Sequence, residues 1–486
     1  MDETLEIAVT ADPYAIISFA GYLLVILLIG LASVHFSSKG INEFFLGGRR
    51  MNRFVVALSA VVSGRSAWLL LGVSGMAYVR GVSAIWACVG YIAVELALFI
   101  FVAPRLRIQT QELDAVTIPD YLELRLKDSS HLIRIVSVLI IVIFMMAYVA
   151  AQFKAGGKAF FAGFGMDPTC GLLLTAGIVL IYTFLGGFLA VSLTDMVQAV
   201  FMLIALVVLP AVAIIHFGGL SFVIDALNRY QPSHFDLMAL GFGVWLGYMG
   251  IGLGSPGNPH ILVRYMSIDD PKHLKVSAVI ATLWNIILAL GAVAVGVVGK
   301  AYFPVVDNLP NGDAEAVFPI LAQHHLHPVL FGLVTAAIFA AIMSTADSQI
   351  LVASSSLVRD IYQKFLKKNQ SIPQNTLVKL SRWMILFVVG GAVMLGYTAS
   401  EWVFWLVLFA WAGLGASFGP TIFLALFWKR TTKWGVLAGL ISGTLVTIFW
   451  KSSELLTDIV YELVPAFIVS LLMTIGISLI GKKPPA

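Results

Sequence analysis

The sequence predicts an all-α, polytopic membrane protein that forms one transporter domain over residues 1–486, with about thirteen transmembrane helices. The chain is 59% hydrophobic and only 12% charged, whereas a soluble domain carries about 25% charged residues. Apolar runs of about 20 residues, the length that crosses a bilayer, recur along the whole chain. Two of these runs are interrupted by glycine and polar residues, which is typical of a transporter's binding site.

The predicted helices follow one another with short connections. They cover residues 13–35, 54–79, 84–103, 135–160, 169–184, 189–215, 238–262, 276–302, 329–357, 379–398, 401–427, 435–450 and 460–480. The second and the seventh are the interrupted ones, so five helices separate equivalent positions. An odd repeat inverts its topology, which predicts an inverted pair over 54–215 and 238–427, with accessory helices at 13–35 and 435–480.

Lysine and arginine are concentrated in one set of alternate loops, and this bias predicts the orientation. Most of the 30 Lys and Arg residues lie there, among them Lys39, Arg134, Arg264, Arg359, Lys482 and Lys483. Because cytoplasmic loops carry this excess, we expect a multi-pass protein of the plasma (inner) membrane with its N-terminus outside and its C-terminus in the cytoplasm. The acidic start, with Asp2, Glu3 and Glu6, lacks the basic region of a signal peptide, so helix 13–35 is predicted to be retained.

The two interruptions cover residues 61–67 (VVSGRSA) and 247–259 (GYMGIGLGSPGNP). Unwound backbone is tolerated at membrane depth only where protein buries it or where it lines a wet cavity. The carbonyls freed by Gly64 and its neighbours are suitable ligands for a cation, and the half-helix dipoles also end there. A kink that serves only helix packing is the alternative.

The ninth helix concentrates oxygen ligands within the membrane. Ser344, Thr345, Asp347 and Ser348 are close enough in sequence to surround a small hard cation. An acid within a membrane helix indicates function by default, although Ser and Thr also join helices by hydrogen bonds. Asp195 lies a few residues inside the sixth helix, near its cytoplasmic end. It is either a second cation position or an N-terminal charge favoured by the helix dipole.

Arg65 is the least expected residue, because a guanidinium at mid-membrane is costly unless it is paired. It either occupies the place of a transported cation, or binds a solute carboxylate, or pairs with an acid such as Asp195 or Asp347. Glu95 is also within the membrane and has no obvious partner in the sequence. Tyr148 and Gln152 are one helical turn apart and either face a cavity together or belong to the core.

At these residues the chain resembles the sodium:solute symporter family, and most closely its sodium/proline branch. The resemblance runs from about residue 40 to 480. Its strongest passages are 58–60 (LSA), 68–70 (WLL), 117–121 (TIPDY), 182–188 (YTFLGGF), 194–195 (TD), 259–262 (PHIL), 343–345 (MST) and 411–413 (WAG). The resemblance implies thirteen helices, a five-plus-five inverted-repeat core with broken helices, and alternating access driven by a sodium gradient.

The resemblance also implies positions for the ion and the solute. It places Na⁺ between the first broken helix and the ninth helix, where the ligands would be the carbonyls of Val62, Arg65 and Ala341 and the hydroxyls of Ser344 and Thr345. Asp195 matches the family's acid on the inner sodium path, and Asp347 and Ser348 match an additional sodium site of some members. Ser66 and Tyr148 match residues near the substrate.

Two departures separate the chain from the proline branch. Gly64-Arg65 stands where that branch has an acid and an apolar residue, and Ile251 and Ser255 stand where it has aromatic residues. A positive charge about 4 Å from a sodium ion would cost about 4 kcal/mol at an effective dielectric constant of about 20. The first departure should therefore weaken sodium binding, and the second leaves the solute open.

The sequence thus predicts Na⁺-coupled symport of a small solute, either a proline-like amino acid or a small carboxylate. Ser66, Tyr148, Gln152, Ser255 and Arg65 are the candidate solute contacts. The alternative is a sodium-independent or proton-coupled transporter of the same fold, with Arg65 replacing the cation. The expected partners are the solute and the bilayer, with no nucleic acid and no obligate protein partner. No phosphate-loop, dinucleotide or hydrolase motif is present, so we expect no enzyme activity.

Overall fold

The computed structural model describes residues 12–37, 40–368, 370, 372–400 and 402–481. Helices account for most of these residues, and the only pairing of β type among them is a single bridge between Met51 and Ile268. The acidic residues 2, 3 and 6, the loop cations Lys39, Lys482 and Lys483, and position 401 at the start of the eleventh predicted helix lie outside the described residues.

The α-helices are numbered in chain order. The first nine are α1 (Pro13–Ser37), α2 (Ile41–Leu46), α3 (Arg53–Ala67), α4 (Ser74–Arg80), α5 (Trp86–Ala97), α6 (Ala103–Glu112), α7 (Ile118–Leu126), α8 (Leu132–Phe164) and α9 (Pro168–His216). The others are α10 (Leu220–Tyr230), α11 (Phe242–Gly250), α12 (Pro259–Ser267), α13 (Leu274–Tyr302), α14 (Val317–His325), α15 (Pro328–Ser355), α16 (Gln374–Thr398), α17 (Val403–Phe427), α18 (Lys433–Lys451), α19 (Glu454–Ile459) and α20 (Leu463–Ile480).

Short 3₁₀- and π-helical segments join several of these helices. The 3₁₀ segments are Gly47–Arg49, Gly81–Ile85, Pro232–Phe235, Ile251–Gly257, Pro271–His273, Val306–Asn308, Pro310–Gly312 and Ala314–Ala316, and the π segments are Trp68–Val73, Leu98–Val102 and Ser356–Leu366. Segments of this kind within longer helices frequently mark functional sites. Two of them, Trp68–Val73 and Ile251–Gly257, lie at the two interruptions.

Each predicted membrane helix has a helical counterpart among the described residues. Within the described residues, ten segments are long and apolar enough to cross a membrane. Arg53–Glu112 contains two of the predicted helices, which part at Gly81 with a φ of 67°. Helix α9 also contains two, because Gly187 (φ 62°, ψ −168°) interrupts it and leaves the shorter Pro168–Phe184. The broken seventh helix is α11 and α12. The all-α polytopic fold is therefore confirmed, whereas the repeat boundaries stay a prediction.

The centre of the bundle is formed by α15 and α17. In each of them 83% of the most apolar 18-residue stretch is buried, compared with 28% for the same stretch of α1. Helix α15 packs against α1, α3, α8 and α9, and α17 packs against Ile251–Gly257, α8, α18 and α20. Met51 also pairs with the strand-like end of α12, since its N–H donates to the Ser267 carbonyl at 3.1 Å. The two interruptions consequently lie within one buried centre.

Two arginines that the sequence pattern assigned to loops are instead buried in helices. Arg134, on the first turn of α8, contacts the carboxylates of Asp120, Glu123 and Asp360. Arg264 lies in α12, which continues to Ser267 rather than ending at residue 262, and it is 1% exposed. The loop assignment was wrong because a paired guanidinium is tolerated in a helix that hydropathy alone would end before it.

Candidate functional site

The first interruption lies at Ser66, two residues after the glycine that predicted it. Ser66 has a φ of 49° and a ψ of −172°, which ends the helical path of α3. Its hydroxyl accepts a hydrogen bond from the Trp68 N–H at 3.1 Å, and the Ala67 N–H donates to the Gln152 side-chain oxygen at 3.1 Å. Side chains therefore satisfy the N–H groups that the break frees, as buried backbone requires. Tyr148 lies beside Ser66.

The hydroxyls of α15 meet the carbonyls of α3 on the other side of this break. Ser344 Oγ lies 3.3 Å from the Val62 carbonyl and 3.2 Å from the Ala341 carbonyl. Thr345 Oγ1 lies 3.4 Å from the Val62 carbonyl and 3.1 Å from that of Ser63. Ligands at about 2.3–2.6 Å from a hard cation lie about 3.3–3.7 Å from one another when they are adjacent. The spacing of these oxygens is thus close to that of a cation site.

The Arg65 carbonyl, the remaining sodium ligand implied by resemblance, shares the Trp68 N–H with the Ser66 hydroxyl. Its geometry is therefore that of a helix end rather than of an unpaired oxygen. The structure brings four of the five implied sodium ligands into mutual contact and gives the fifth a partner of its own.

A second polar cluster continues from this group along α3, α9, α12 and α15. Asp195 Oδ2 accepts hydrogen bonds from Ser59 at 2.5 Å and Ser63 at 3.4 Å, and its other oxygen has no partner. Ser348 Oγ donates to Asp347 Oδ1 at 2.9 Å or to the Ser344 carbonyl at 2.7 Å. All these side chains are buried. Asp195 of the sixth predicted helix therefore lies together with Asp347 and Ser348 of the ninth.

Arg264 completes this cluster and was not among the predicted site residues. Its Nη2 lies 3.3 Å from Asp195 Oδ2 and also contacts Ser348, while its Nε donates to Ser59 at 3.0 Å. Its Nη1 donates to the His260 carbonyl, one helical turn earlier, at 2.6 Å. The sequence of residues 259–264 (PHILVR) contained a signal for this placement. Arg264 lies four residues after His260, so the two share one face of a helix.

Arg65 pairs with an acid, but not with Asp195 or Asp347 as the sequence suggested. Its Nη2 lies 3.2 Å from Glu95 Oε2 on α5, and its Nε donates to Asn285 Oδ1 on α13 at 2.8 Å. The Asn285 amide donates to the same Glu95 oxygen at 2.5 Å. Because α5 and α13 carry these partners, the guanidinium contacts neither the hydroxyls nor the acid of α15. Glu95, which had no partner in sequence, is the missing counter-charge.

Gly64 leaves room for an aromatic hydroxyl where the proline branch has an acid. A Cβ atom at Gly64 would lie 2.1 Å from the Tyr91 hydroxyl oxygen. The Tyr91 ring cannot easily swing away, because the Arg65 guanidinium carbon lies 3.3 Å from its centre and Trp411 stacks on it at 5.3 Å. The space beside Gly64 is thus filled by the Tyr91 hydroxyl.

The second interruption is closed by α17. The Trp411 indole N–H donates to the Ile251 carbonyl at 2.8 Å, and the Asn258 amide donates to the Gly254 carbonyl at 2.8 Å. Trp411 is therefore a buried partner of backbone freed by the break. Ser255 is fully buried, and its hydroxyl lies beside that of Tyr91.

A cavity of about 540 Å³ reaches this second interruption from one side. It is lined by Arg80, Tyr248, Ile251, Trp402, Trp405 and Tyr461, among others. On the other side, the space between Phe188, Arg264 and Ser348 measures about 10 Å³, which is about the smallest volume that holds one water. The larger cavity thus reaches the second interruption at Ile251, whereas the side chains of Ser66, Tyr148, Gln152 and Ser255 are buried.

Comparison with known proteins indicates the family of this chain. The sequence profile of the "Sodium:solute symporter family" matches residues 44–443. The osmoregulated proline transporter OpuE of Bacillus subtilis is 40% identical, with 96% of this chain and 95% of the relative covered. A sodium/proline symporter of Staphylococcus aureus is 38% identical, with coverage of 100% and 96%.

Solved structures share the fold at low sequence identity. The Na⁺-coupled sialic acid symporter in a substrate-bound, outward-open state superimposes with a TM-score of 0.81 at 20% identity, covering 98% of this chain and 99% of the other. A nucleobase-cation-symport-1 family transporter in a closed conformation gives a TM-score of 0.52 at 12% identity, with coverage of 92% and 96%. The chain therefore belongs to the sodium:solute symporter family, and it is a multi-pass, sodium-coupled symporter of a small solute rather than an enzyme.

Proposed function

We propose that this chain imports a small zwitterionic solute of the proline type together with Na⁺ by alternating access. The observation that carries the proposal is the contact between two interrupted helices and the hydroxyls of α15, with Ser344 and Thr345 directed at carbonyls of α3. The relatives named as proline transporters support the choice of solute class.

Sodium is assigned to the oxygens of Val62, Ala341, Ser344 and Thr345, with the Arg65 carbonyl as a further candidate. The charges nearby favour a cation. Glu95 neutralises Arg65, so the guanidinium adds no net positive charge next to the site. Asp195 and Asp347 together outnumber the single cation Arg264, and this excess of negative charge attracts Na⁺ in a medium of low dielectric constant. Asp195, Asp347 and Ser348 are the candidates for a second ion position.

The solute is assigned to the space between the two interruptions. Ser66, Tyr148 and Gln152 approach it from α3 and α8, and Ser255 approaches it from the second break. A sodium ion that orders α3 would hold Ser66 in place, so ion and solute should each raise the affinity for the other by the same factor.

Uptake into proteoliposomes tests the proposal. Purified protein should accumulate radiolabelled L-proline under an inward Na⁺ gradient, and replacement of Na⁺ by choline should abolish the accumulation. Uptake that is unchanged in choline would contradict sodium coupling and support the sodium-independent or proton-coupled alternative. Sodium-dependent uptake of a small carboxylate, with no uptake of L-proline, would retain the coupling and replace the solute.

The orientation is proposed to have the N-terminus outside and the C-terminus in the cytoplasm. A native cysteine of the chain allows this orientation to be tested by labelling. Cys170, at the start of α9, is exposed, whereas Cys88 is buried. In this orientation the loop before α9 faces outward. A membrane-impermeant maleimide should therefore label intact cells, and the Cys170→Ser variant should lose the label. Labelling only after permeabilisation would reverse the assignment.

A further inference from the structure

Arg65 and Glu95 form an ion pair that leaves one charged atom of each residue unused. The guanidinium uses its Nε and Nη2 for Asn285 and Glu95, and Nη1 has no partner. Glu95 accepts both of its hydrogen bonds at Oε2, and Oε1 has no partner. The two side chains are 3% and 1% exposed. A buried charged group with an unsatisfied atom is costly, so this arrangement suggests a ligand.

The unused atoms belong to the region between the two interruptions. Arg65 immediately precedes the break at Ser66, and its guanidinium lies over the Tyr91 ring at 3.3 Å. Tyr91 in turn stacks on Trp411, which binds the Ile251 carbonyl of the second break. The hydroxyls of Tyr91 and Ser255 lie beside each other in the same region. Two charged atoms without partners, Arg65 Nη1 and Glu95 Oε1, thus lie beside the place assigned to the solute.

The charges select the kind of ligand. The open Nη1 requires an acceptor, and the open Oε1 requires a donor. An anion alone would be repelled by Glu95, and a cation alone would be repelled by Arg65. A molecule that carries both charges a few bonds apart satisfies both atoms at no net charge, and an α-amino or imino acid is such a molecule.

We propose that Arg65 and Glu95 bind the two ionic ends of a zwitterionic solute. Arg65 Nη1 donates to the carboxylate, and Glu95 Oε1 accepts from the ammonium group. Asn285 is a positioning residue, because it holds the guanidinium and the carboxylate through its own oxygen and nitrogen. This inference rests on the proposed function and adds to it the reason for selecting a zwitterion.

Binding of matched probes to the purified full-length protein in Na⁺ tests the inference. L-proline, L-alanine and glycine carry both charges, cyclopentanecarboxylate lacks the amine, and pyrrolidine lacks the carboxylate. The wild type should bind at least one of the three amino acids and neither single-charge probe. Arg65→Met and Glu95→Gln should each weaken that binding by about tenfold to a hundredfold, the range for one charge-assisted hydrogen bond.

Two further variants separate binding from folding. Arg65→Met combined with Glu95→Gln removes both buried charges, so its thermal midpoint should recover toward that of the wild type while its affinity for the amino acid stays low. Glu123→Gln makes the same isosteric change at a buried carboxylate that pairs with Arg134, and it should leave probe affinity unchanged. A double variant that recovers both stability and affinity would show a purely structural pair and overturn the inference.

The remaining outcomes also decide. Binding of L-alanine or glycine but not L-proline retains the paired-charge site and refutes only the proline-type solute. Binding of cyclopentanecarboxylate as tightly as the best amino acid overturns the role of Glu95. If none of the five probes binds, both the paired-charge site and the proposed solute class are rejected.

Discussion

The contact between Gly64 and Tyr91 gives a prediction that can be worked out from distances. The substitution Gly64→Ala adds one methyl group at a point 2.1 Å from the Tyr91 hydroxyl oxygen. Overpacking of a filled core costs about 1–3 kcal/mol, and the higher helix propensity of alanine returns about 1 kcal/mol. Because Arg65 and Trp411 hold the Tyr91 ring from two directions, the clash cannot be relieved by rotating the ring.

The substitution Tyr91→Phe removes the atom that clashes. Its hydroxyl lies beside the Ser255 hydroxyl without a hydrogen bond of good geometry, so by itself the change should alter the stability by about 1 kcal/mol or less. The nearest atoms to the new methyl group would then be Ile261 Cδ1 at 3.3 Å and the ring carbon of residue 91 at 3.4 Å. In this background Gly64→Ala should be neutral or slightly stabilising. The coupling between the two substitutions should therefore be about 1–3 kcal/mol.

Thermal unfolding of the four proteins measures this coupling. The wild type, each single variant and the double variant are purified in the same detergent and heated at the same scan rate, with tryptophan fluorescence as the signal. Gly64→Ala should lower the midpoint only where Tyr91 is present. An equal loss in both backgrounds would refute the reasoning, because it would mean that the Tyr91 hydroxyl does not fill the space beside Gly64.

Three other predictions follow from single contacts. Thr345→Ala should raise the Na⁺ concentration for half-maximal uptake by about tenfold, because Thr345 Oγ1 faces the Ser63 carbonyl at 3.1 Å. The control is Thr335→Ala, at a buried hydroxyl of the same helix without a partner, which should leave that concentration unchanged. Equal effects of the two substitutions would reject the assignment of Thr345 to the sodium site. Glu315→Ala should destabilise the protein by about 2–4 kcal/mol, since Glu315 accepts hydrogen bonds from the N–H groups of residues 403 and 404 at 2.9 and 2.8 Å and pairs with a lysine. The control is Glu112→Ala, at an exposed position. An equal shift of the thermal midpoint in both variants would contradict the prediction. Burial disfavours the charge of Asp128, but hydrogen bonds from Ser130 and the N–H of residue 133 outweigh it and lower its pKa. The stability that the carboxylate adds is therefore present above its usual pKa and lost on acidification. The difference in thermal midpoint between the wild type and Asp128→Asn should be constant above about pH 5 and shrink below about pH 4. A constant difference down to about pH 3 would contradict the lowered pKa of Asp128.

The sequence by itself determined the class of fold and indicated which segments carry the candidate site. Membrane helices are readable because each must be apolar over about 20 residues, and the two interruptions are readable because glycine and polar residues do not belong there unless they are used. The group on α15 was also local information, since Ser344, Thr345 and Ser348 are fixed on neighbouring faces by helix geometry.

Only the tertiary structure decided which charges meet. Arg65 finds Glu95 on α5 and Asn285 on α13, and Asp195 finds Arg264 on α12. Such partners come from distant segments, and a sequence pattern contains no information on which helix faces pack together. The break at Ser66 rather than Gly64 has the same origin, because Gln152 of α8 and the Ser66 hydroxyl satisfy the N–H groups freed at that residue.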